Sequence, residues 1–197
     1  MTVIAVRKDP QRLTLTVEAE FDASVERIWQ LWADPRKLER WWGPPTYPAT
    51  FTKHDLAPGG RIEYHMTGAA GDQPHGYWDV LEVEPPRRIL LRGGIANADG
   101  TPNKETPIST IRVSIEEVAQ GRTRMLIENV FPSTEAMEQV LAMGTEEGLN
   151  QAVSQIDAIL AETSQPTTTQ RGGTCDHEID DHDQRLGGRR DAGIGRS

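Results

Sequence analysis

A carboxylate beside an imidazole is the smallest unit of general acid–base chemistry, and this chain offers one in Glu63-Tyr64-His65. In an extended strand alternate residues share a face, so Glu63 and His65 would stand together, opposite Tyr64. Theirs is the solvated face, and the pair reads as exposed rather than catalytic. The other histidines before residue 163 are His54 and His75. A second group is Cys175-Asp176-His177-Glu178-Ile179-Asp180-Asp181-His182-Asp183. One thiolate and two imidazoles could hold zinc or nickel, but the spacing Cys-x-His-x4-His matches no closed structural site. The chain lacks Gly-x-Ser-x-Gly, a glycine-rich phosphate loop and His-Glu-x-x-His. Gly93-Gly94 and Asp99-Gly100-Thr101-Pro102-Asn103 read as turn chemistry. The sequence therefore assigns no catalytic residue, no metal site and no cofactor.

What must hold any site in place is about one domain's worth of chain, 197 residues. Lys and Arg number 21 against 30 Asp and Glu, a net charge of −9. Such a surface repels phosphate backbones, so no nucleic acid partner is expected. Apolar runs are only a few residues long, against roughly 20 for a bilayer-spanning helix, so no membrane insertion is expected either. The first residues have no basic n-region followed by a long apolar stretch, and the single cysteine, Cys175, suits a reducing compartment. A cytoplasmic protein is expected. All five tryptophans, three tyrosines and three phenylalanines precede residue 132. The 35 residues from Thr163 onward hold no aromatic and only five apolar side chains, too few to offset the entropy of ordering. Three segments are expected: a short N-terminal extension over 1–11, a folded domain over 12–162, and a low-complexity, disordered tail over 163–197.

Periodicity gives the elements of the domain. Leu13, Leu15, Val17 and Ala19 alternate with polar residues and predict a half-buried strand. Asp22-Ala23-Ser24 supplies caps for a short helix carrying Val25, Ile28, Trp29 and Trp32, and Pro35 ends it or opens another turn over 35–41. Strands are predicted over 47–56, 61–67, 77–84, 88–92, 108–118 and 122–131, with Pro58-Gly59-Gly60 and Gln120-Gly121 as turns. Ser133 can cap a helix from about residue 134. Leu149, Ala152, Val153, Ile156, Ile159 and Leu160 recur at helical spacing and predict one helix of about four turns with a single apolar stripe. One strand, two short helices, six antiparallel strands and a long closing helix make an α+β fold.

This order of elements resembles the helix-grip fold of the START-like, or SRPBCC, superfamily. The nearer resemblance is to the branch named after the C-terminal domain of the activator of the heat-shock-chaperone ATPase. It is carried by Phe21-Asp22-Ala23-Ser24-Val25-Glu26-Arg27-Ile28-Trp29, Trp41-Trp42-Gly43-Pro44 and Pro58-Gly59-Gly60-Arg61. Leu81-Glu82-Val83-Glu84-Pro85-Pro86-Arg87-Arg88-Ile89 and Met143-Gly144-Thr145-Glu146-Glu147-Gly148-Leu149-Asn150-Gln151 complete it. Many relatives carry a tryptophan after the Glu-Gly of the last helix, where this chain has Leu149, and the smaller side chain alters the volume beneath that helix. The tail has no counterpart in the family pattern.

The resemblance implies a curved antiparallel sheet wrapped around the C-terminal helix, with an elongated, mostly apolar cavity between them. The expected lining is Ile62, Tyr64 and Met66 from the strand, Leu149, Val153 and Ile156 from the helix, and Trp42 and Trp78 at the mouth. The connection before residue 108 is long enough to act as a flap. Binding of a lipophilic small molecule, with no chemistry of its own, is the leading expectation. A polyketide cyclase/aromatase-like or hydrolase-like enzyme is the alternative, and it needs an ionisable group inside the cavity. A third reading is a chaperone ATPase co-factor with a role in stress response. It needs an exposed, contiguous apolar patch. The eukaryotic activator carries much of its chaperone contact on a separate N-terminal domain, for which the eleven residues expected ahead of the first strand leave no room.

Overall fold

A computed structural model describes residues 3–162. The expected tail and the 175–183 group lie outside the described residues. Eight strands form one curved antiparallel sheet: β1 (Val3–Asp9), β2 (Thr14–Phe21), β3 (Ala49–His54), β4 (Arg61–Met66), β5 (His75–Glu84), β6 (Arg88–Ala96), β7 (Ser109–Ala119) and β8 (Arg122–Val130). Their order across the sheet is β1-β2-β8-β7-β6-β5-β4-β3. Two short helices, α1 (Val25–Ala33) and α2 (Pro35–Leu38), carry the chain from β2 to the far edge at β3. Three more follow β8: α3 (Thr134–Ala142), α4 (Thr145–Ser154) and α5 (Ile156–Glu162). This is the helix-grip α+β architecture.

The local reasons are those of capping and alternation. Ser24 accepts from the Arg27 N–H at the start of α1, Asp34 from Arg36 N–H at the start of α2, and Ser133 from Ala136 N–H at the start of α3. Pro35 occupies the first turn of α2, where its missing N–H costs nothing. Along β8, Thr123, Met125, Ile127 and Asn129 are buried while their neighbours are not, so one face of the sheet is apolar and the other polar. The buried face meets Ile28, Trp32, Trp41, Val153 and Ile156 in one continuous core. Edge strand β3 would leave a free N–H at Phe51, which Glu39 Oε1 accepts at 2.8 Å.

Three differences from the periodicity stand out. The 1–11 extension contains β1, a strand paired with β2 from Val3↔Glu20 to Asp9↔Thr14. Leu13 belongs to the β1–β2 turn, with φ 54° in the left-handed region, and β2 begins only at Thr14. The closing helix is two helices that meet at Gln155, although its whole stripe is buried as expected. There the Gln155 backbone N–H bonds Ala152 O at 3.1 Å, and its side-chain Nε2 donates to Trp41 O at 3.3 Å and Gly43 O at 2.7 Å. The turn therefore tightens where a side chain ties the helix to the loop after α2.

Candidate functional site

The apolar face of the sheet is incompletely filled near the start of α4. A cleft of about 250 Å³ opens there, bounded by Tyr64 and Met66 of β4, Trp78 of β5, Ile111 of β7, Asn129 of β8, Trp42, and Leu149 of α4. It runs into a more open space of about 530 Å³ past Tyr47, Asp72, Met143 and Gly144, sharing Trp42, Tyr64, Met66 and Leu149 with it. A groove of about 660 Å³ over the β1–β2 hairpin is lined instead by Arg7, Lys8, Asp9, Arg12 and Glu128, a charged surface feature.

Aromatic packing builds one wall. Trp42 meets Trp78 edge-on with ring centroids 4.6 Å apart, and Tyr64 lies 4.9 Å from Trp78 and 5.3 Å from Phe51. Trp32 and Trp41 back this wall, their rings 5.0 Å apart. Gly76, the register partner of Tyr64, makes room for that ring, since a Cβ there would fall inside it. The opposite wall turns at Gly144, whose φ of 82° breaks α3 from α4 and places Met143 and Thr145 at the rim.

Polar groups in the cleft are few. Burial pushes the Tyr64 phenol up to about 12, and the nearby Trp42 indole N–H opposes that rise without making a well-formed hydrogen bond to it. Tyr64 is therefore a neutral phenol at ordinary pH. Thr145 Oγ1 donates to Val140 O at 2.8 Å and Thr106 Oγ1 to Asn103 O at 3.0 Å, so both hydroxyl protons are committed. Two buried side-chain nitrogens have no hydrogen-bond partner among the described residues, Trp42 Nε1 and Asn129 Nδ2. At the outer rim a hydrogen bond to Asp72 raises the Tyr47 phenol.

Of the side chains expected to line a cavity, Trp42, Tyr64, Met66, Trp78 and Leu149 come together around the cleft. Trp42 and Trp78 are buried in its wall, at 7% and 2% exposure. Ile62, Val153 and Ile156 are at most 1% exposed and stand in the core, away from the cleft lining. Asn129 was not anticipated, though a signal was present: it puts an amide where the run Thr123, Met125, Ile127 calls for another core residue. His65 and His75 are register partners with rings 5.5 Å apart; alternation sets them on the strand face opposite Trp78, yet His75 also contributes to the cleft lining. Glu63 pairs with Arg61 at 2.9 Å rather than with His65, and His54 Nε2 contacts Trp32 O at 2.9 Å.

The connection between β6 and β7, expected as a flap, gives Thr106 and Pro107 to the cleft and is tied down. Asn97 N–H bonds Thr101 O at 2.8 Å, Asn103 N–H bonds Ile95 O at 2.9 Å, and Arg61 Nη2 reaches Gly100 O at 3.2 Å. Arg61 also pairs with Asp79 at 2.8 Å and lies 4.3 Å over the Tyr77 ring. Among the described residues no group of three or more His, Cys, Asp or Glu could hold a metal ion, and no helix is long and apolar enough to cross a membrane.

Comparison with known proteins agrees with this architecture. The profile of the family described as "Activator of Hsp90 ATPase homolog 1-like protein" matches residues 22–161. A Mycobacterium smegmatis protein of known crystal structure is 46% identical, with a TM-score of 0.74, over 80% of this chain and 97% of its own. An Arthrobacter aurescens protein solved by NMR is 40% identical, with a TM-score of 0.77, over 86% of this chain and 98% of its own. A Staphylococcus epidermidis protein at 20% identity and a TM-score of 0.69, over 84% of this chain and 99% of its own, shares the fold. A search of curated proteins finds no match. With the family profile covering most of the domain and two relatives of this identity, the chain belongs to the Activator of Hsp90 ATPase homolog 1-like family.

Proposed function

We propose that this protein binds an uncharged, lipophilic small molecule in the cleft between β4–β8 and α4, and performs no chemistry on it. The observation that carries the reading is the lining itself: Trp42, Tyr64, Met66, Trp78, Ile111 and Leu149 surround about 250 Å³. Apolar walls with a few polar groups are what small-molecule sites use for affinity and orientation. An enzyme would need a group that changes protonation near neutral pH within reach of a reacting atom. Tyr64, pushed up to about 12, is a poor candidate for that task, and His75, the one imidazole of the lining, has its ring beside that of His65. The family's name refers to an Hsp90 ATPase; what supports the present reading is the cleft.

Native mass spectrometry of the full chain, fresh from expression and again after denaturation, tests the proposal. Extra mass that disappears on denaturation is the expected result, and its identity names the ligand. The companion variant is Leu149→Trp, which fills the mouth of the cleft. It should lower ligand occupancy at least tenfold while leaving the melting temperature within a few degrees. A clean mass, joined to an unshifted melting temperature with a panel of lipophilic compounds, would overturn the reading.

A further inference from the structure

The cleft contains a polar mismatch. Trp42 and Asn129 are each 7% exposed, both line the cleft, and each has a buried nitrogen with no partner among the described residues; the Tyr64 hydroxyl lies close to Trp42 Nε1 but makes no well-formed hydrogen bond with it. A buried donor left unmet is costly, and folded proteins rarely leave one so. Here two occur in one small cavity, on elements far apart in sequence. The neighbouring indoles show the ordinary arrangement: Trp41 Nε1 donates to Leu31 O at 3.1 Å and Trp32 Nε1 to Met125 Sδ at 3.3 Å.

Resting on the cleft reading above, we infer that the ligand is a neutral carbonyl compound, an apolar body whose oxygen accepts from Trp42 Nε1–H with Asn129 as the second polar contact. An indole N–H can only donate, so it fixes the polarity of the missing group as an acceptor. The Thr106 and Thr145 hydroxyl protons are already committed to backbone carbonyls and do not compete for it, and Ser109, the remaining hydroxyl of the lining, can itself donate to the same acceptor. No lysine or arginine lines the cleft or the space beyond it; the one imidazole of the lining, His75, has its ring beside that of His65, and Asp72 stands at the outer rim. A carboxylate or phosphate would thus enter without a counter-charge, whereas a ketone, ester or quinone oxygen needs none.

The test uses the full chain and three rigid tricyclic probes of nearly one shape: fluorene, 9-fluorenone and fluorene-9-carboxylate. Affinity is read from intrinsic tryptophan fluorescence, and the indole N–H signal of Trp42 is followed by NMR, assigned by its loss in Trp42→Phe. Fluorenone should bind about tenfold tighter than fluorene and tighter than the carboxylate. It alone should move the Trp42 indole proton downfield. The advantage of fluorenone over fluorene should shrink to within about twofold in Trp42→Phe and fall severalfold in Asn129→Leu. Should Asn129→Leu fail to fold, the indole shift in the natural chain decides the matter. Equal affinity for fluorene and fluorenone would mean that water alone meets these donors; it would overturn the inference and leave the hydrophobic cleft standing. Tighter binding of the carboxylate, or an advantage that survives in Trp42→Phe, would also overturn it. If none of the three binds, the cleft reading fails and takes this inference with it.

Discussion

Deprotonating Tyr64 in the folded protein is costly, because its ring packs against Trp42, Trp78 and Phe51 and the phenolate would lose water. Its folded value of about 12 lies above the ordinary 10 of a free phenol. Below pH 10 both folded and unfolded chains keep the proton, and stability is at its full value. Between pH 10 and 12 the unfolded chain loses it first, so stability falls with rising pH, by about 2 to 3 kcal/mol in all. Tyr64→Phe should remove that part of the slope in urea unfolding at pH 11 against pH 8; an unchanged slope would mean the hydroxyl is solvated. Tyr47, raised by Asp72, and Tyr77, raised chiefly by burial, slope the same way and leave a remainder in the variant. At this scale part of the candidate site was legible: alternation put Tyr64 and Met66 on one face, while the expectation of an apolar cavity came from the family resemblance. Ile62, Val153 and Ile156 obey the same periodicity but sit deeper, because a stripe says which way a side chain faces and not how far from the opening it lies. The orphaned donors could not be read at all, since satisfaction is a property of three-dimensional neighbours.

At the scale of elements, the turn at Gln155 matters most, because it joins the closing helix to the Trp41–Trp42 loop behind the aromatic wall. Gln155→Ala removes the donor to Trp41 O and Gly43 O and should cost about 1–3 kcal/mol in urea unfolding. Gln151→Ala, whose amide bonds only the exposed Glu147, is the control and should stay within about 0.5 kcal/mol. Equal costs for the two would show that the break at Gln155 has no structural weight. The sequence revealed the stripe but not this break, since glutamine is a good helix former and carries no stop signal. The strands of the meander came from alternation and turn chemistry to within a few residues. β1 did not, because Val3-Ile4-Ala5-Val6 followed by Arg7-Lys8 has no alternation to read. Bulges were invisible too. Register shifts between Val80 and Glu82 and between Glu117 and Ala119 leave Leu81 and Val118 exposed on otherwise ordinary strands, and such bulges bend a sheet.

For the whole molecule, the sheet divides labour between its faces. One packs the core and frames the cleft, while the other carries a lattice of ion pairs in which Arg124 meets Glu18 at 3.1 Å, Glu20 at 3.0 Å and Glu116 at 3.4 Å. Exposed pairs of this kind add little stability each and keep the outer face soluble. Arg61 stands apart within this pattern. It holds Glu63, Asp79 and Gly100 O at once, and Gly100 belongs to the connection that supplies Thr106 and Pro107 to the cleft. Arg61 thereby ties that connection to charges on the far side of the sheet from the cleft. A neutral ligand should then sense ionic strength: raising salt from 0.05 M to 1 M, which shortens the screening length to about 3 Å, should change its association rate by roughly two- to threefold, an effect that Arg61→Gln abolishes in stopped-flow fluorescence. The chain would carry a salt gauge for a guest that has no charge of its own.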